Sequence, residues 1–466
     1  MRTPAILAFF VFLSAPVSSQ STWYVPDHWP TIQVAINSVA NGDTVIVRPG
    51  TYEENLDFVG KVITLRSELG PEVTVIDGNQ LDRVVQFQSG ETRDCVLEGF
   101  TITNGNASSG NGGGIDCTLI SSPTIRNCIL SFNRAFGLGG GIACRGFSNA
   151  VIIGCTFIGN DCHGAVEGSQ GGGLSCFFSD VTVTGCTFID NASQWGGAID
   201  FSGSRSIVTN CAFVGNYADL GGGALFCSVG YPTVTNCTFN RNSAAFGGAL
   251  VTAGAVLSSH PVLTNCILWD NQPEEILIGI GKVTVTYCDV MGGWIGSGNI
   301  DVFPGFFDLD SRDFHLTWDS PCVDAGDNLA PSLPLFDYEG DGRVVGGTAD
   351  MGADELEHHL YHTGSVVPGG TINIRTVGTP GSPVTLALGS GIQDPPQPSQ
   401  YGNFYLMRPL IWSGSIGVIP AQGILTYPVI VPSMWLPGSK HPLQALVGPF
   451  GSAGSRLTNL LELTAQ

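Results

Sequence analysis

Residues 183–191 read VTGCTFIDN, residues 208–216 read VTNCAFVGN and residues 234–242 read VTNCTFNRN. Each copy has an apolar residue, then Gly or Asn, then a cysteine, a second apolar residue and a late asparagine. A pattern that recurs every 22 to 31 residues predicts a solenoid of stacked coils with variable loops. Six copies are centred on Cys128, Cys155, Cys186, Cys211, Cys237 and Cys266, and a seventh, weaker copy is centred on Cys288.

The residue before each cysteine predicts a corner. The apolar residue three places earlier and the cysteine both have a buried character, yet residues an odd number apart in a straight strand face opposite sides. The chain must therefore bend between them. Asn and Gly accept the left-handed backbone conformation that such a bend needs. The predicted corner residues are Asn127, Gly154, Gly185, Asn210, Asn236 and Asn265.

In six copies, a second asparagine follows the cysteine by five residues. Asparagine side chains stacked on one another can hydrogen-bond along the solenoid axis and satisfy backbone groups in turns. We therefore interpret this column as a structural ladder rather than as a set of ligand contacts. Its members are Asn133, Asn160, Asn191, Asn216, Asn242 and Asn271.

A third strand precedes each motif and begins with glycines, which indicate a tight turn or a close backbone approach. Three strands per coil predict three parallel sheets around an apolar core. The outward positions of this third strand include Asp116 and Asp200, three coils apart. At about 4.8 Å per coil they lie about 14 Å apart. Glycoside hydrolysis needs two carboxyl groups about 5–9.5 Å apart, so this pair is excluded as a catalytic dyad.

These motifs resemble the pectin-lyase-like superfamily of right-handed parallel β-helix proteins. The N-terminal part is similar to the first segment of many bacterial members, with PTIQVAIN at 30–37 as a capping helix and PGTYEEN at 49–55. The resemblance covers roughly residues 22–310 and implies the fold. It implies no single activity, because the superfamily includes lyases, hydrolases, esterases, adhesins and surface proteins. The aspartate and arginine sets of polygalacturonases, pectate lyases and pectin methylesterases are not found here.

The remainder of the chain predicts further units. Residues 1–19 have the basic start, apolar run and small-residue site of an export signal. The β-helix is assigned to residues 20–298. The acidic stretch 299–355 resembles a module that closes many secreted bacterial β-helix proteins near a surface anchor, and we interpret it as a C-terminal cap. Residues 356–362 are predicted as a linker, and the Gly- and Pro-rich residues 363–466 as a small β-sandwich.

Charge narrows the range of partners. The net charge of −21 disfavours nucleic acid, whose phosphates require Lys and Arg. No segment after the export signal has the roughly 18 apolar residues of a transmembrane helix.

Acidic exported proteins often bind calcium, and alternating oxygen donors followed by Gly342 are typical of a calcium loop. The twelfth position is Thr348 rather than Glu, which departs from the EF-hand pattern. The predicted calcium ligands are Asp337, Glu339, Asp341 and Asp350, with Asp354 as an alternative to Asp350.

Three further features have both a functional and an ordinary interpretation. The insertion 161–169 contains Asp, Cys, His and Glu, and is either a site-bearing loop or a tolerated insertion. Glu355, His358, His359 and His362 are either metal ligands or a linker cluster, and His358 and His362 would share a face of a helix. A row before the glycine turns either stacks on sugar rings or packs in the core. The row consists of Leu138, Trp195, Leu220 and Phe246, and Trp195 and Phe246 are the predicted ligand-binding residues.

The fourteen cysteines would suggest disulfides in an exported protein. Cysteines in register along a parallel stack point the same way about 4.8 Å apart, whereas a relaxed disulfide brings the Cβ atoms to about 3.8 Å. We therefore predict that most of them are free, with Cys162 and Cys322 as the expected exceptions.

Taken together, the sequence predicts a secreted or cell-surface protein that binds carbohydrate or surface components without catalysis. The alternative is a polysaccharide-acting lyase or hydrolase with an unrecognised site.

Overall fold

The computed structural model describes residues 20–108, 110–164, 168–253, 258–308, 313–317, 320–340, 342–344 and 348–356, and mainly the strands between residues 360 and 464. The predicted export signal, Asp341, His358 and His359 lie outside the described residues. Among the described helices, none has the length and apolar character needed to cross a membrane. The chain is almost entirely β-structure over these ranges.

Four parallel sheets make up the solenoid in the described part of the chain. Sheet A comprises Thr22–Val25, Thr44–Val47, Thr64–Ser67, Val96–Glu98, Thr124–Arg126, Val151–Ile153, Thr182–Thr184, Ile207–Thr209, Thr233–Thr235, Val262–Thr264 and Thr284–Thr286. Sheet B comprises Gly50–Glu53, Thr74–Asp77, Thr101–Thr103, Ile129–Ser131, Thr156–Ile158, Thr187–Ile189, Ala212–Val214, Thr238–Asn240, Ile267–Trp269 and Asp289–Val290. Sheet C comprises Leu56–Asp57, Val85–Phe87, Ile115–Cys117, Ile142–Arg145, Leu174–Phe177, Ile199–Ser202, Leu225–Ser228, Leu250–Ala253 and Ile276–Ile278. Sheet D comprises Asn106–Ala107, Arg134–Ala135, Asp161–Cys162, Ala192–Trp195, Tyr217–Gly221 and Ser243–Phe246.

The predicted columns are in register and fill the core. In sheet B, Phe157, Phe188, Phe213 and Phe239 pair in successive coils. Their rings stack nearly parallel, with centroids 4.4, 5.0 and 4.6 Å apart. All four side chains are buried. The repeat thus places identical rings one coil apart, where offset stacking adds to the burial of apolar surface.

The predicted corners between sheets A and B are confirmed. The Asn and Gly residues at these corners have φ between 51° and 61°. In the weak seventh copy, Tyr287 occupies the corner with φ 52°. A second left-handed corner, at the end of sheet B, was not foreseen because its residue types vary. It is formed by Phe132, Gly159, Asp190, Gly215, Arg241 and Asp270, all with positive φ.

The asparagine column forms a continuous, one-directional ladder. The amide of Asn191 donates to the carbonyl oxygen of Phe157 and to Oδ1 of Asn216, at 3.0 and 2.9 Å. Oδ1 of Asn191 in turn accepts from the backbone N–H and side-chain amide of Asn160, at 3.1 and 2.9 Å. The other members repeat this pattern. At the last member, Asn271, the carboxylate of Glu275 accepts the two bonds that a further asparagine would accept.

The prediction of three sheets is wrong, because sheet D forms a fourth. Its inward side chains, including Ala107, Ala135 and Cys162, form a small cluster separate from the main core. They cover the outer face of sheet C, so the positions there that the sequence suggested were outward are buried. The glycine turn makes this return possible: Gly139 has φ 62°, and a Cβ there would lie 2.0 Å from the carbonyl oxygen of Ile142. The buried positions are Asp116, Ala143, Ser175, Asp200, Phe226 and Val251.

The predicted capping helix spans Ile32–Ser38. Ile32, Ala35 and Ile36 face the first coil and are buried. Its first turn is capped twice, since the Thr31 hydroxyl accepts from the N–H of Val34 and the Glu54 carboxylate accepts from Ile32 and Gln33. A carboxylate at this end also interacts favourably with the helix dipole.

The acidic module lies along the side of the last coils rather than only over their end. The corner amide of Asn236 donates to the carbonyl oxygen of Asp350 at 2.9 Å, and that of Asn265 accepts from Asp327 N–H at 2.7 Å. The corner asparagines thus hold the bend and also attach the module. Its own short antiparallel sheet comprises Phe306–Asp308 and Asp313–Leu316. The shared apolar cluster contains Val214, Ile267, Phe306, Phe314, Leu316, Cys322 and Met351.

The C-terminal part is a small antiparallel β-sandwich, as predicted. One sheet comprises Leu360–Thr363, Thr371–Val377 and Ile424–Ile430. The other comprises Pro383–Leu388, Trp412–Val418, Lys440–Val447, Arg456–Leu457 and Leu461–Thr464, and Ile392–Ser399 pairs with Gly402–Leu406. The first strand begins inside the segment assigned to the linker. Both sheets contribute to one core, formed by Ile374, Val384, Leu386, Leu443 and Ala445 with Leu425 and Val429 against it.

All fourteen cysteines are free and buried. The prediction for the columns is confirmed, but Cys162 and Cys322 are not exceptions. Column thiols have hydrogen-bonding roles: Sγ of Cys186 accepts the N–H of Cys155 and donates to the carbonyl oxygen of Thr184, both at 3.4 Å. Burial also raises the pKa of Cys162 to about 12, which keeps its thiol protonated and unreactive.

We expect alkylation of the denatured, unreduced protein to label all fourteen cysteines. In-register cysteines point the same way about 4.8 Å apart, so a disulfide between them would require the coils to shift. The thiols of the column from Cys128 to Cys288 also have hydrogen-bond partners already. Mass spectrometry of the labelled chain measures the count. Labelling of only a few sites, with the remainder released by reductant, would contradict the assignment.

Candidate functional site

The row of residues before the glycine turns lies along the side of sheet D where its strands end. Leu138 pairs with Gln170, Gln170 with Trp195, Trp195 with Gly221, and Gly221 with Phe246. The Trp195 ring lies over Gly221, where a Cβ would approach it to 2.9 Å, and packs against Phe226 with centroids 4.7 Å apart. One side of Trp195 is therefore fixed by packing, and the side chain remains half-exposed.

A β-bulge exposes two consecutive residues beside Trp195. The pairing of sheet D shifts between Ala218 and Gly221, so the strand has one extra residue there. Asp219 and Leu220 are both exposed as a result, although alternation would bury one of them. Bulges of this kind redirect side chains and are frequent beside sites. Leu220 therefore lies next to the row rather than in it.

The insertion contributes a charged cluster to the same edge. His163 lies between Asp161, which contacts Nδ1, and Asp219, whose carboxylate is 3.3 Å from Nε2. Arg134 also pairs with Asp161 at 3.2 Å. The hydrogen bond to Asp161 raises the pKa of His163, and the charge of Asp219 raises it further. Residues 165–167 of the insertion lie outside the described part.

A groove of about 580 Å³ connects these features. Gln194 links the insertion to the opposite wall of the groove, because its Oε1 accepts the N–H of Gly168 at 2.8 Å. An aromatic ring, an amide and one carboxylate thus converge on one groove, which is the arrangement expected of a binding site. The groove is lined by Gly168, Gln194, Trp195, Asp219 and Leu220.

The family model for a right-handed β-helix region matches residues 73–218 and 165–300. The matched residues contain the in-register coils of sheets A, B, C and D. Residues 73–300 form a right-handed parallel β-helix. The resemblance to the pectin-lyase-like superfamily is therefore confirmed for the fold.

One solved structure similar to this β-helix protein is the enzymatically active domain of tailspike protein 2 from bacteriophage CBA120. The identity is 12%, and the alignment covers 93% of this chain and 73% of the tailspike chain. The TM-score is 0.19, so the two chains do not superpose well enough to transfer a residue or a substrate. No curated protein matches the chain.

The two carboxylates considered on sheet C are buried in different environments. Asp116 pairs with Arg83 and Arg145, at 2.8 and 3.0 Å. Asp200 accepts hydrogen bonds from Ser175 and Ser202, at 2.9 and 2.7 Å. Burial raises the pKa of Asp200 to about 7. The register confirms that three coils separate Asp116 from Asp200, and neither belongs to the groove described above.

The predicted calcium ligands mostly bind backbone amides. Oδ1 of Asp337 accepts from Glu339 and Gly340, and Oδ2 accepts from Glu355. Both oxygens of Asp350 also accept backbone N–H groups. Glu339 instead lies 3.1 Å from Nε2 of His315. Calcium binding at these residues stays a prediction.

The second suggested metal cluster lies mostly outside the described residues, since His358 and His359 are not described. Residue 362 lies in the strand Leu360–Thr363, and metal binding by this set stays a prediction. Glu355 is buried, where it accepts the N–H of Asp350 and lies 3.8 Å from Arg343. The sequence analysis missed His315, Asp219 and Gln194 as site residues. A single His in a short strand, and one Asp in an irregular strand, carry no distinguishing local pattern.

We expect the stability of the protein to fall as the pH rises from 5 to 8. Burial raises the pKa of Asp200, Glu275 and Asp350 to about 7 and that of Asp289 to about 6. The folded state therefore binds more protons than the unfolded state between pH 4 and 7, so deprotonation favours unfolding. A change of one pKa unit is worth about 1.4 kcal/mol, so the summed loss should reach several kcal/mol. The raised pKa of His163 also lowers the stability as the pH rises.

Urea unfolding at each pH measures this loss. The variant Asp200→Asn should retain the fold and lose part of the pH dependence, whereas Asp94→Asn, at an exposed position, should follow the wild type. A free energy of unfolding that rises between pH 5 and 8 would contradict the assignment of these buried carboxyls.

Proposed function

We propose that this β-helix protein binds a neutral polysaccharide chain in the groove along sheet D, outside the cell or at its surface. The observation that carries the proposal is Trp195, held by Phe226 on one side and half-exposed at the groove on the other. A fixed aromatic ring loses little conformational freedom when a sugar ring stacks on it. The in-register row provides further contacts at intervals of one coil, which suits a repeating polymer.

The charges of the groove favour a neutral polymer. Asp219 lines the groove, Asp161 is linked to Asp219 through His163, and the chain has a net charge of −21. Arg134 and His163 lie near the groove, and both are paired with Asp161. An anionic polysaccharide would therefore meet repulsion at the groove and over most of the protein. Hydroxyl groups, in contrast, can hydrogen-bond to carboxylates and to the Gln194 amide.

We expect Trp195→Ala to weaken retention on the preferred neutral polysaccharide at least tenfold, which corresponds to about 1.4 kcal/mol. Affinity electrophoresis against neutral and anionic polysaccharides measures retention. The matched control is Phe178→Ala, which removes an exposed aromatic ring on a different corner of the solenoid and should leave retention unchanged. Circular dichroism of both variants checks that the coils remain intact. Equal retention of Trp195→Ala and wild type, or retention only on anionic polymers, would refute the proposal.

A second candidate function is cleavage of a glycosidic bond in the same groove. The specific observation is the contact of His163 with both Asp161 and Asp219 beside Trp195. A His–carboxylate cluster can supply a general acid and a general base. If the protein cleaves its polysaccharide, Asp219→Asn should abolish product release and keep retention. Asp270→Asn, at another exposed aspartate, should release product as the wild type does. Retention without product release in the wild type would exclude this second candidate.

A further inference from the structure

Three metal-binding side chains converge in the acidic module, outside the groove. One ligand atom from each of His315, Glu339 and Asp354 lies within 4.8 Å of the others. Nε2 of His315 is 3.1 Å from Oε1 of Glu339 and 3.2 Å from the hydroxyl of Tyr338. Oδ2 of Asp354 accepts the N–H of Leu316, at 3.2 Å, which attaches the aspartate to the strand that contains His315.

The three ligands come from three separate segments of the module. His315 lies in the strand Asp313–Leu316, Glu339 in the turn after Asp337, and Asp354 in the last described stretch before residue 357. Asp354 is buried, His315 is half-exposed and Glu339 is exposed, so an ion could enter from solvent. An ion bound here would cross-link segments that are otherwise joined by hydrogen bonds and a small apolar cluster.

The electrostatics of the module also favour a cation. Asp337, Asp350, Asp354 and Glu355 are buried around Arg343, which is the buried guanidinium of this module among the described residues. A buried excess of carboxylates is costly unless protons or cations compensate it.

We propose that His315, Glu339 and Asp354 bind Zn²⁺ and that the ion stabilises the acidic module against the solenoid. Zinc takes one imidazole nitrogen and carboxylate oxygens at about 2.0–2.2 Å, and water can complete its tetrahedral shell. Calcium prefers six to eight oxygen ligands, and imidazole is a poor ligand for it. The proposal therefore differs from the calcium site that the sequence suggests, and it does not depend on the function of the groove.

The test uses the untagged full-length chain, treated with chelator and dialysed. Isothermal titration with ZnCl₂ should give one site per chain, with a dissociation constant in the micromolar range or tighter. Zinc should also raise the melting temperature. Zinc affinity should fall at least tenfold in His315→Gln, and the matched control His260→Gln should bind as the wild type does. Co²⁺ titration should give the visible absorption band of a four-coordinate ion in wild type and not in His315→Gln.

Several outcomes would overturn the zinc site. These are the absence of zinc binding by the wild type, unchanged binding by His315→Gln, or a melting temperature that responds to CaCl₂ and not to ZnCl₂. Circular dichroism verifies the fold of each variant. If His315→Gln does not fold, Glu339→Gln gives the same comparison from the exposed side of the site.

Discussion

Replacing Arg343 with methionine is expected to lower the free energy of unfolding of the acidic module by about 3–5 kcal/mol. The guanidinium is fully buried and donates to the carbonyl oxygens of Gly352 and Asp354 at 3.3 and 3.1 Å, and to Ala353. It also donates to Oδ1 of the corner residue Asn210 at 2.8 Å. Methionine fills part of the volume, but leaves these oxygens unsatisfied and the buried carboxylates without their cation.

Limited proteolysis and urea unfolding measure the effect of this substitution. Cleavage between residues 320 and 356 should become rapid in Arg343→Met, since the bond to Asn210 joins the module to the solenoid. The control is Arg126→Met, which removes an exposed ion pair with Glu98 and should cost less than about 1 kcal/mol. Equal stability of the two variants would show that Arg343 does not hold the module.

Replacing Asn191 with alanine is expected to destabilise the solenoid by about 3–5 kcal/mol. The substitution removes three buried hydrogen bonds. The backbone N–H of Asn160 loses its acceptor, the Asn160 amide keeps its bond to Leu130 but loses its second acceptor, and the carbonyl oxygen of Phe157 loses the Asn191 donor. Each unsatisfied buried group costs about 1–3 kcal/mol. The loss also interrupts a chain of aligned amides, whose members polarise one another.

The matched control for Asn191 is Asn149→Ala. The Asn149 side chain accepts one hydrogen bond from the backbone of Asp180 at an exposed turn, where water can replace it. Its loss should therefore cost less than about 1 kcal/mol. Urea midpoints of the two variants give the comparison. A midpoint of Asn191→Ala close to that of Asn149→Ala would mean that the ladder contributes nothing beyond ordinary turn contacts.

The groove could be predicted only in part. Trp195 and Phe246 were identified because the row recurs at one position of each coil, and the structure places them in register. Asp219 could not be identified from the sequence, because its exposure depends on a bulge that has no sequence signature. His163 belonged to a recognised insertion, but its contact with Asp219 joins residues from strands two coils apart.

The sequence by itself determined the solenoid, its corners, its stacked phenylalanines and its asparagine ladder, since each depends on one residue type repeated once per coil. Periodicity turns such local preferences into long-range register. Only the tertiary structure decided which faces are covered. Sheet D buries the outer face of sheet C, and the acidic module lies against the A–B corner at Asn210, Asn236 and Asn265. These arrangements depend on how separate surfaces meet, and pairs such as Arg343 with Asn210 are too distant in sequence for any local pattern to indicate.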